Sequence, residues 1–62
     1  MNLPIRWAVV REKSTGFPAI MAKLVHGGKL YEKTVVVPTG AAPALVKLMI
    51  AAMTAEIANA VA

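Results

Sequence analysis

Hydrophobic and polar residues follow two different periods along this chain, and the change occurs at Pro38-Thr39-Gly40. Before these residues, apolar and polar side chains alternate in short runs that are separated by glycine-containing turns. After them, alanine, leucine, methionine and isoleucine recur at helical spacing, and only Lys47 and Glu56 are charged. A period of two followed by a period of 3.6 predicts a small sheet followed by one helix.

Three strands precede the helix in this interpretation. Their expected positions are about residues 5–12, 17–26 and 29–37, with the helix at about residues 41–60. A Lys-Ser-Thr-Gly loop at 13–16 separates the first two strands, and Gly27-Gly28 is a two-residue hairpin signal between the second and third. Such short connections allow only an antiparallel meander. The predicted fold class is α+β, a three-stranded antiparallel meander sheet packed by one C-terminal helix, in a single domain of residues 1–62.

The two turns also predict which residues lie opposite each other. The glycine turn places Leu24 opposite Tyr31, and the four-residue loop places Trp7 opposite Ala22. Both pairings agree on one face toward the helix, where Lys33 is a charged exception that reaches solvent or guards the sheet edge. Trp7 is expected as a core anchor on this face; in a shifted register it would instead be an exposed stacking platform for a base. The predicted inward residues are Ile5, Trp7, Val9, Ile20, Ala22, Leu24, Tyr31, Val35 and Val37. The predicted outward residues are Arg6, Ala8, Val10, Ala19, Met21, Lys23, Val25, Leu30, Glu32, Thr34 and Val36.

The helical segment carries two apolar stripes. We expect Thr39 as its N-cap and Pro43 in its first turn. The stripe predicted to cover the sheet consists of Val46, Met49, Ile50, Met53, Ile57 and Val61. A second ridge consists of Leu45, Leu48 and Ala52. Because one helix on three strands cannot bury both stripes, and a domain of about 60 residues has a marginal core, we expect a homo-oligomer, most simply a twofold dimer through this ridge.

Composition limits the chemistry that is available. The chain has no cysteine and one histidine, His26, so neither a disulfide nor a zinc site is expected. There is no aspartate, and the three glutamates fall on separate elements, which argues against a general acid–base pair. Ser14 and His26 are interpreted as turn and strand-end residues. We therefore expect a protein that is not an enzyme and that has no cofactor and no metal.

The apolar C-terminal segment invites comparison with a membrane span. Residues 41–62 are long enough, but they contain Lys47, Glu56 and Asn59 and are rich in alanine, which favours a soluble helix. The N-terminal residues lack the basic start and long apolar run of a secretory signal. The expectation is a cytoplasmic protein without membrane contact.

The net charge of +4 is concentrated in the sheet region. A basic surface of this kind raises the rate of encounter with nucleic acids, with acidic proteins or with anionic membranes. The alternative interpretation is that the charge serves only to keep an otherwise apolar domain soluble. Charge alone does not choose among these roles.

The chain resembles the AP2-type DNA-binding domain and the related arm-binding domains of phage and transposon integrases. The resemblance is carried by five segments: Trp7–Arg11, Lys13–Phe17, Ala19–Ala22, Gly28–Tyr31 and the Pro38–Ala42 helix entry. In that family the outer sheet face enters the DNA major groove. The resemblance implies that Arg6, Arg11, Lys13, Lys23 and Lys29 contact phosphates or base edges.

Two functions follow from these observations. The first is DNA binding through a basic outer sheet face, dominated by phosphate contacts and therefore dependent on salt. The second is a phage-type or mobile-element-type interaction module or inhibitor that blocks a host protein through the same face, with Met21 and Val25 as anchors. The candidate partner-binding residues for either function are Arg6, Arg11, Lys13, Met21, Lys23, Val25 and Lys29.

Overall fold

A computed structural model describes residues 3–62, and residues 1 and 2 of the predicted domain lie outside it. Three strands are followed by one helix. The elements are β1 (Arg6–Arg11), β2 (Pro18–His26), β3 (Lys29–Val36) and α1 (Pro43–Val61). The strands form one open antiparallel sheet in the order β1-β2-β3. The predicted α+β arrangement, a three-stranded meander followed by a C-terminal helix, is confirmed.

The predicted register is also confirmed. Trp7 lies opposite Ala22 on β2, and Leu24 lies opposite Tyr31 on β3. Gly27 and Gly28 have φ angles of 60° and 76°, the left-handed conformation that a two-residue type I′ turn requires at both positions. Because side chains alternate across a strand, these pairings determine the face on which every sheet residue lies.

The core lies between β2 and α1. Its buried members are Ile20, Ala22 and Leu24 of the central strand and Met53 and Ile57 of the helix. Partly buried residues pack around them, namely Leu3, Ile5, Tyr31, Val35, Val37, Val46 and Val61. The core therefore uses the face that the alternation predicts, and the central strand contributes most because it has a neighbour on each side.

The helix begins later than predicted. Ala42 is the N-cap residue and makes no side-chain capping bond, so the prediction that Thr39 caps the helix is wrong. Thr39 instead lies in a turn in which the Ala41 N–H donates to the Pro38 carbonyl oxygen at 3.1 Å, and Gly40 has a φ of 73°. Pro43 explains the shift, because proline lacks an N–H and fits the first helical turn, where that donor is not needed.

The helix covers only part of the sheet. It packs against β2 and β3, and its backbone does not approach β1. Trp7 and Val9 lie on the helix side of the sheet, yet they are 40% and 78% exposed. The prediction that Trp7 is a core anchor is therefore wrong. A helix is about 10 Å wide and strands are about 4.8 Å apart, so one helix covers about two strands.

Candidate binding surfaces

The outer sheet face is the side of the sheet opposite α1. It consists of Arg6, Ala8, Val10, Ala19, Met21, Lys23, Val25, Leu30, Glu32, Thr34 and Val36. Within residues 3–62 no helix or strand packs over it. Val25 and Leu30 are directly opposed across β2 and β3 and are 70% and 56% exposed. Met21 lies on the central strand and is half-buried. The face is open and largely apolar.

A charged row crosses this face. Arg6 lies opposite Lys23, and Lys23 lies opposite Glu32. The Nζ atom of Lys23 is 3.8 Å from Oε2 of Glu32, at the long end of an ion pair between half-exposed side chains. Two cations and one anion leave the face with a charge of +1.

The structure does not gather the predicted basic residues on one surface. Arg11 and Lys29 have the same strand alternation as Trp7 and Tyr31, so they lie on the helix side, at opposite ends of the sheet. Nη1 of Arg11 donates a 2.6 Å hydrogen bond to the carbonyl oxygen of Gly16 in the first loop. The Lys29 Nζ lies 5.4 Å from the centre of the Tyr31 ring, a cation–π distance. Of the predicted cations, the outer sheet face contains only Arg6 and Lys23, and Lys13 lies in the 13–16 loop.

A hollow of about 380 Å³ adjoins the charged row at the hairpin end of the sheet. Its lining is Pro4, Arg6, Lys23, Leu24, Val25 and Leu30. The hollow combines the exposed apolar pair with the two cations of the face.

The helix ridge predicted as an oligomer interface lies away from the sheet. Leu45, Leu48 and Ala52 are all exposed, and Leu48 is 68% exposed. This position leaves the ridge accessible to a partner. Dimerisation through it stays a prediction.

Sequence reasoning missed a second apolar surface on the helix side. The groove beside β1 has a volume of about 410 Å³, and its lining is Trp7, Ala8, Val9, Pro18, Ile20, Val37, Val46 and Ile50. It exists because α1 does not reach β1. The width of one helix relative to three strands was the signal that could have predicted it.

Two further findings bear on chemistry and environment. In the described part of the chain, no group of three or more His, Asp or Glu residues is placed to hold a metal ion.

Helix α1 is long and apolar enough to cross a membrane by length and composition, with a mean hydropathy of 1.6, and 11% of that stretch is buried. Core helices of soluble proteins meet the same criteria of length and composition.

Comparison of this chain with protein-family models, with curated proteins and with solved structures gives no match.

Proposed function

We propose that this chain is a non-enzymatic binding protein that docks a protein partner on its outer sheet face. The observation that carries the proposal is the exposed Val25–Leu30 cross-strand pair, on a face that no helix or strand of residues 3–62 covers. Contiguous exposed apolar residues rimmed by polar ones are typical of protein–protein interaction sites. Such a protein acts by occupying a surface of its partner, as an inhibitor does.

A protein partner fits this face better than DNA does. The face has a charge of +1, because it contains Arg6, Lys23 and Glu32, whereas Arg11 and Lys29 lie on the other side of the sheet. DNA affinity depends on neutralising several phosphates with Lys and Arg. An apolar centre with few charges is instead the usual composition of a protein interface core.

The residues of the face divide into two roles. Val25 and Leu30 are the apolar anchors beside the 380 Å³ hollow, and Met21 supplies an adaptable contact near the middle of the face. Arg6 and Lys23 lie at the rim of the same hollow, where cations set the orientation and encounter rate of an acidic partner more than its affinity. The complementary partner surface is an apolar protrusion with carboxylates beside it.

Site-specific photo-crosslinking tests the proposal in the cells that naturally express the chain. A photoreactive amino acid replaces Met21 on the outer sheet face, and a matched variant carries it at exposed Ala55 on the helix. The expected result is one protein adduct from position 21, resistant to nuclease and sensitive to protease. Adding Val25→Glu should reduce its yield at least tenfold, while Thr39→Glu, outside the face, leaves the yield unchanged.

Two outcomes would contradict the proposal. A nuclease-sensitive adduct from position 21 would identify nucleic acid as the partner. An adduct from position 55 that forms equally well, or the absence of any protein adduct at position 21, would show that the outer sheet face is not the docking surface.

DNA binding is the second candidate function, and the net charge of +4 favours it. In this case Arg6 and Lys23 of the face and Lys13 of the adjoining loop contact phosphates. Affinity for duplex DNA, measured at 20 mM and 200 mM salt, would fall steeply as salt rises. Arg6→Gln would weaken binding at low salt and reduce the salt dependence, whereas Lys47→Gln on the helix would act as the control. Lack of binding at 20 mM salt would exclude this candidate.

A further inference from the structure

Among the described residues, strand β1 is an edge of the sheet whose outer backbone groups have no strand partner. The Glu12 N–H donates to the Phe17 carbonyl oxygen at 2.8 Å, so Glu12 and Phe17 form a hydrogen-bonded pair. Such pairs alternate along an antiparallel ladder, so the even-numbered residues of β1 direct their backbone groups toward β2. The odd-numbered residues, including Trp7 and Val9, direct their N–H and C=O groups to the free edge. These groups are available to another strand.

The two edges of the sheet differ in how they are protected. In the middle of β3, Glu32 and Lys33 place adjacent charges, and Lys33 is paired with Glu56 of the helix. In β1 the only charged residues are at its ends, Arg6 and Arg11, and the four residues between them are Trp-Ala-Val-Val. Charged residues on an edge strand discourage pairing with another chain, whereas an apolar exposed edge invites it. The β1 edge is therefore the one open to pairing.

The groove beside β1 gives the same edge an apolar flank. Val9 is 78% exposed there, and Trp7, Val46 and Ile50 line the groove beside it. A strand added to β1 would place its own inward side chains next to this groove. An apolar strand would bury these residues from solvent.

We infer that β1 pairs antiparallel with β1 of a second copy, around a twofold axis at Val9. Directly opposed residues in an antiparallel pair share a face, so a twofold pairing must join residues of the same face. In the register centred on Val9, Arg6 lies opposite Glu12 of the second copy. Arg11 lies opposite Trp7 of the second copy, which permits a cation–π contact.

Charge complementarity selects this register from its neighbours. Centring the pair on Ala8 would place Arg6 opposite Val10 and Arg11 opposite Ile5. Centring it on Val10 would place Glu12 opposite Ala8 and Arg11 opposite Val9. Only the pairing centred on Val9 gives both arginines of β1 a favourable partner, an anion for one and an aromatic ring for the other.

The resulting dimer has one continuous six-stranded sheet. Both helices lie on one side of it, and the two β1 grooves meet at the axis between them. The outer sheet faces join on the other side, so the proposed docking surface would be doubled. Pairing through β1 requires only the free edge and its charges, whichever partner binds the outer sheet face.

Single cysteines test the pairing, because the chain has none of its own. Hydrogen-bonded pairs have Cα atoms about 5.5 Å apart, within the range for a disulfide. We expect a dimer mass by light scattering at 100 μM and rapid disulfide dimer formation by Val9→Cys. Ala8→Cys and Val10→Cys should crosslink at least tenfold more slowly, as should Val25→Cys, which is nearly as exposed as Val9 but lies on the outer sheet face.

A charge exchange tests the register independently. Arg6→Glu places two carboxylates opposite each other, and Glu12→Arg places two guanidinium groups opposite each other. Each variant alone should raise the dimer dissociation constant about tenfold. An equimolar mixture should form heterodimers, measured by native mass spectrometry, because each introduced charge then meets its opposite.

Several outcomes would overturn the inference. A monomer mass at 100 μM would exclude the dimer. A dimer that crosslinks through Leu48→Cys and not through Val9→Cys would place the interface on the helix ridge. Rapid crosslinking through Ala8→Cys, or a mixture without heterodimers, would overturn the Arg6–Glu12 register.

Discussion

The Lys33 Nζ atom of the edge strand β3 lies 2.8 Å from the Glu56 Oε2 atom of α1. Lys33 occupies a position on the helix side of the sheet, opposite Ala22, where an uncharged side chain would be expected. Its long methylene stem extends past the apolar contact between the sheet and the helix, so that the amine reaches the exposed side of the helix. One side chain thereby guards the edge and links the sheet to the helix.

This ion pair should contribute little to stability. Both side chains are about half exposed, and such pairs are usually worth about 0.2–1 kcal/mol. A double-mutant cycle with Lys33→Ala and Glu56→Ala should give a coupling free energy in that range from urea unfolding, smaller at 1 M salt. A coupling free energy above about 2 kcal/mol would show that the pair is shielded from solvent more than the structure indicates.

Leu24→Ala should be among the most damaging single changes. Leu24 is buried between β2 and α1, and truncating a buried leucine costs about 2–5 kcal/mol. That loss would leave so small a domain largely unfolded. Circular dichroism during urea titration measures it, with Leu30→Ala as a matched control on the exposed face. Equal losses for the two variants would contradict the assigned faces.

The Gly27-Gly28 turn should tolerate asparagine and resist alanine. An added Cβ at Gly28 meets no atom within 4 Å, so the cost is that of the left-handed backbone, about 1–2 kcal/mol. Gly28→Ala should therefore lower the urea midpoint. Gly27→Asn creates the preferred Asn-Gly type I′ sequence and should leave the midpoint nearly unchanged. A neutral Gly28→Ala would argue against this turn type.

The start of the helix offers a stabilising change. Ala42 has an extended backbone, with φ −68° and ψ 150°, and no side-chain cap, so Ala42→Asp would supply the missing acceptor. The expected gain in unfolding free energy is about 0.5–2 kcal/mol. Thr39→Ala should have little effect because Thr39 lies in the preceding turn. If Thr39→Ala lowers the unfolding free energy by more than Ala42→Asp raises it, the N-cap residue is Thr39.

The limits of sequence reasoning are clearest at Trp7 and Thr39. Alternation predicted the face on which Trp7 lies, but it contains no information on how far a helix extends across the sheet. A threonine before an apolar helical pattern is a common N-cap signal, yet the turn closed by Gly40 and the position of Pro43 move the first helical residue. In both cases the local sequence pattern is the one expected. The coverage of Trp7 depends on the position of α1, and the start of the helix depends on the Gly40 turn and Pro43, which that pattern does not include.

The candidate binding surfaces also differ in how far they could be predicted from the sequence. The charged row of Arg6, Lys23 and Glu32 could be predicted, because two short turns determine the register. The same alternation places Arg11 and Lys29 on the opposite face from that row. A grouping of residues by charge alone misses this separation. The helix-side groove beside β1 could not be assigned from periodicity, because it depends on the position of α1.

Period, turn length and alternation are local properties, so the amino-acid sequence was enough to predict three strands and a helix, their antiparallel order and the face on which each strand residue lies. Which inward residues are covered depends on where α1 packs on the sheet, and these local patterns do not contain that position. One helix is about as wide as two strands, and it packs over β2 and β3. Trp7 and Val9 are consequently left open beside a free sheet edge.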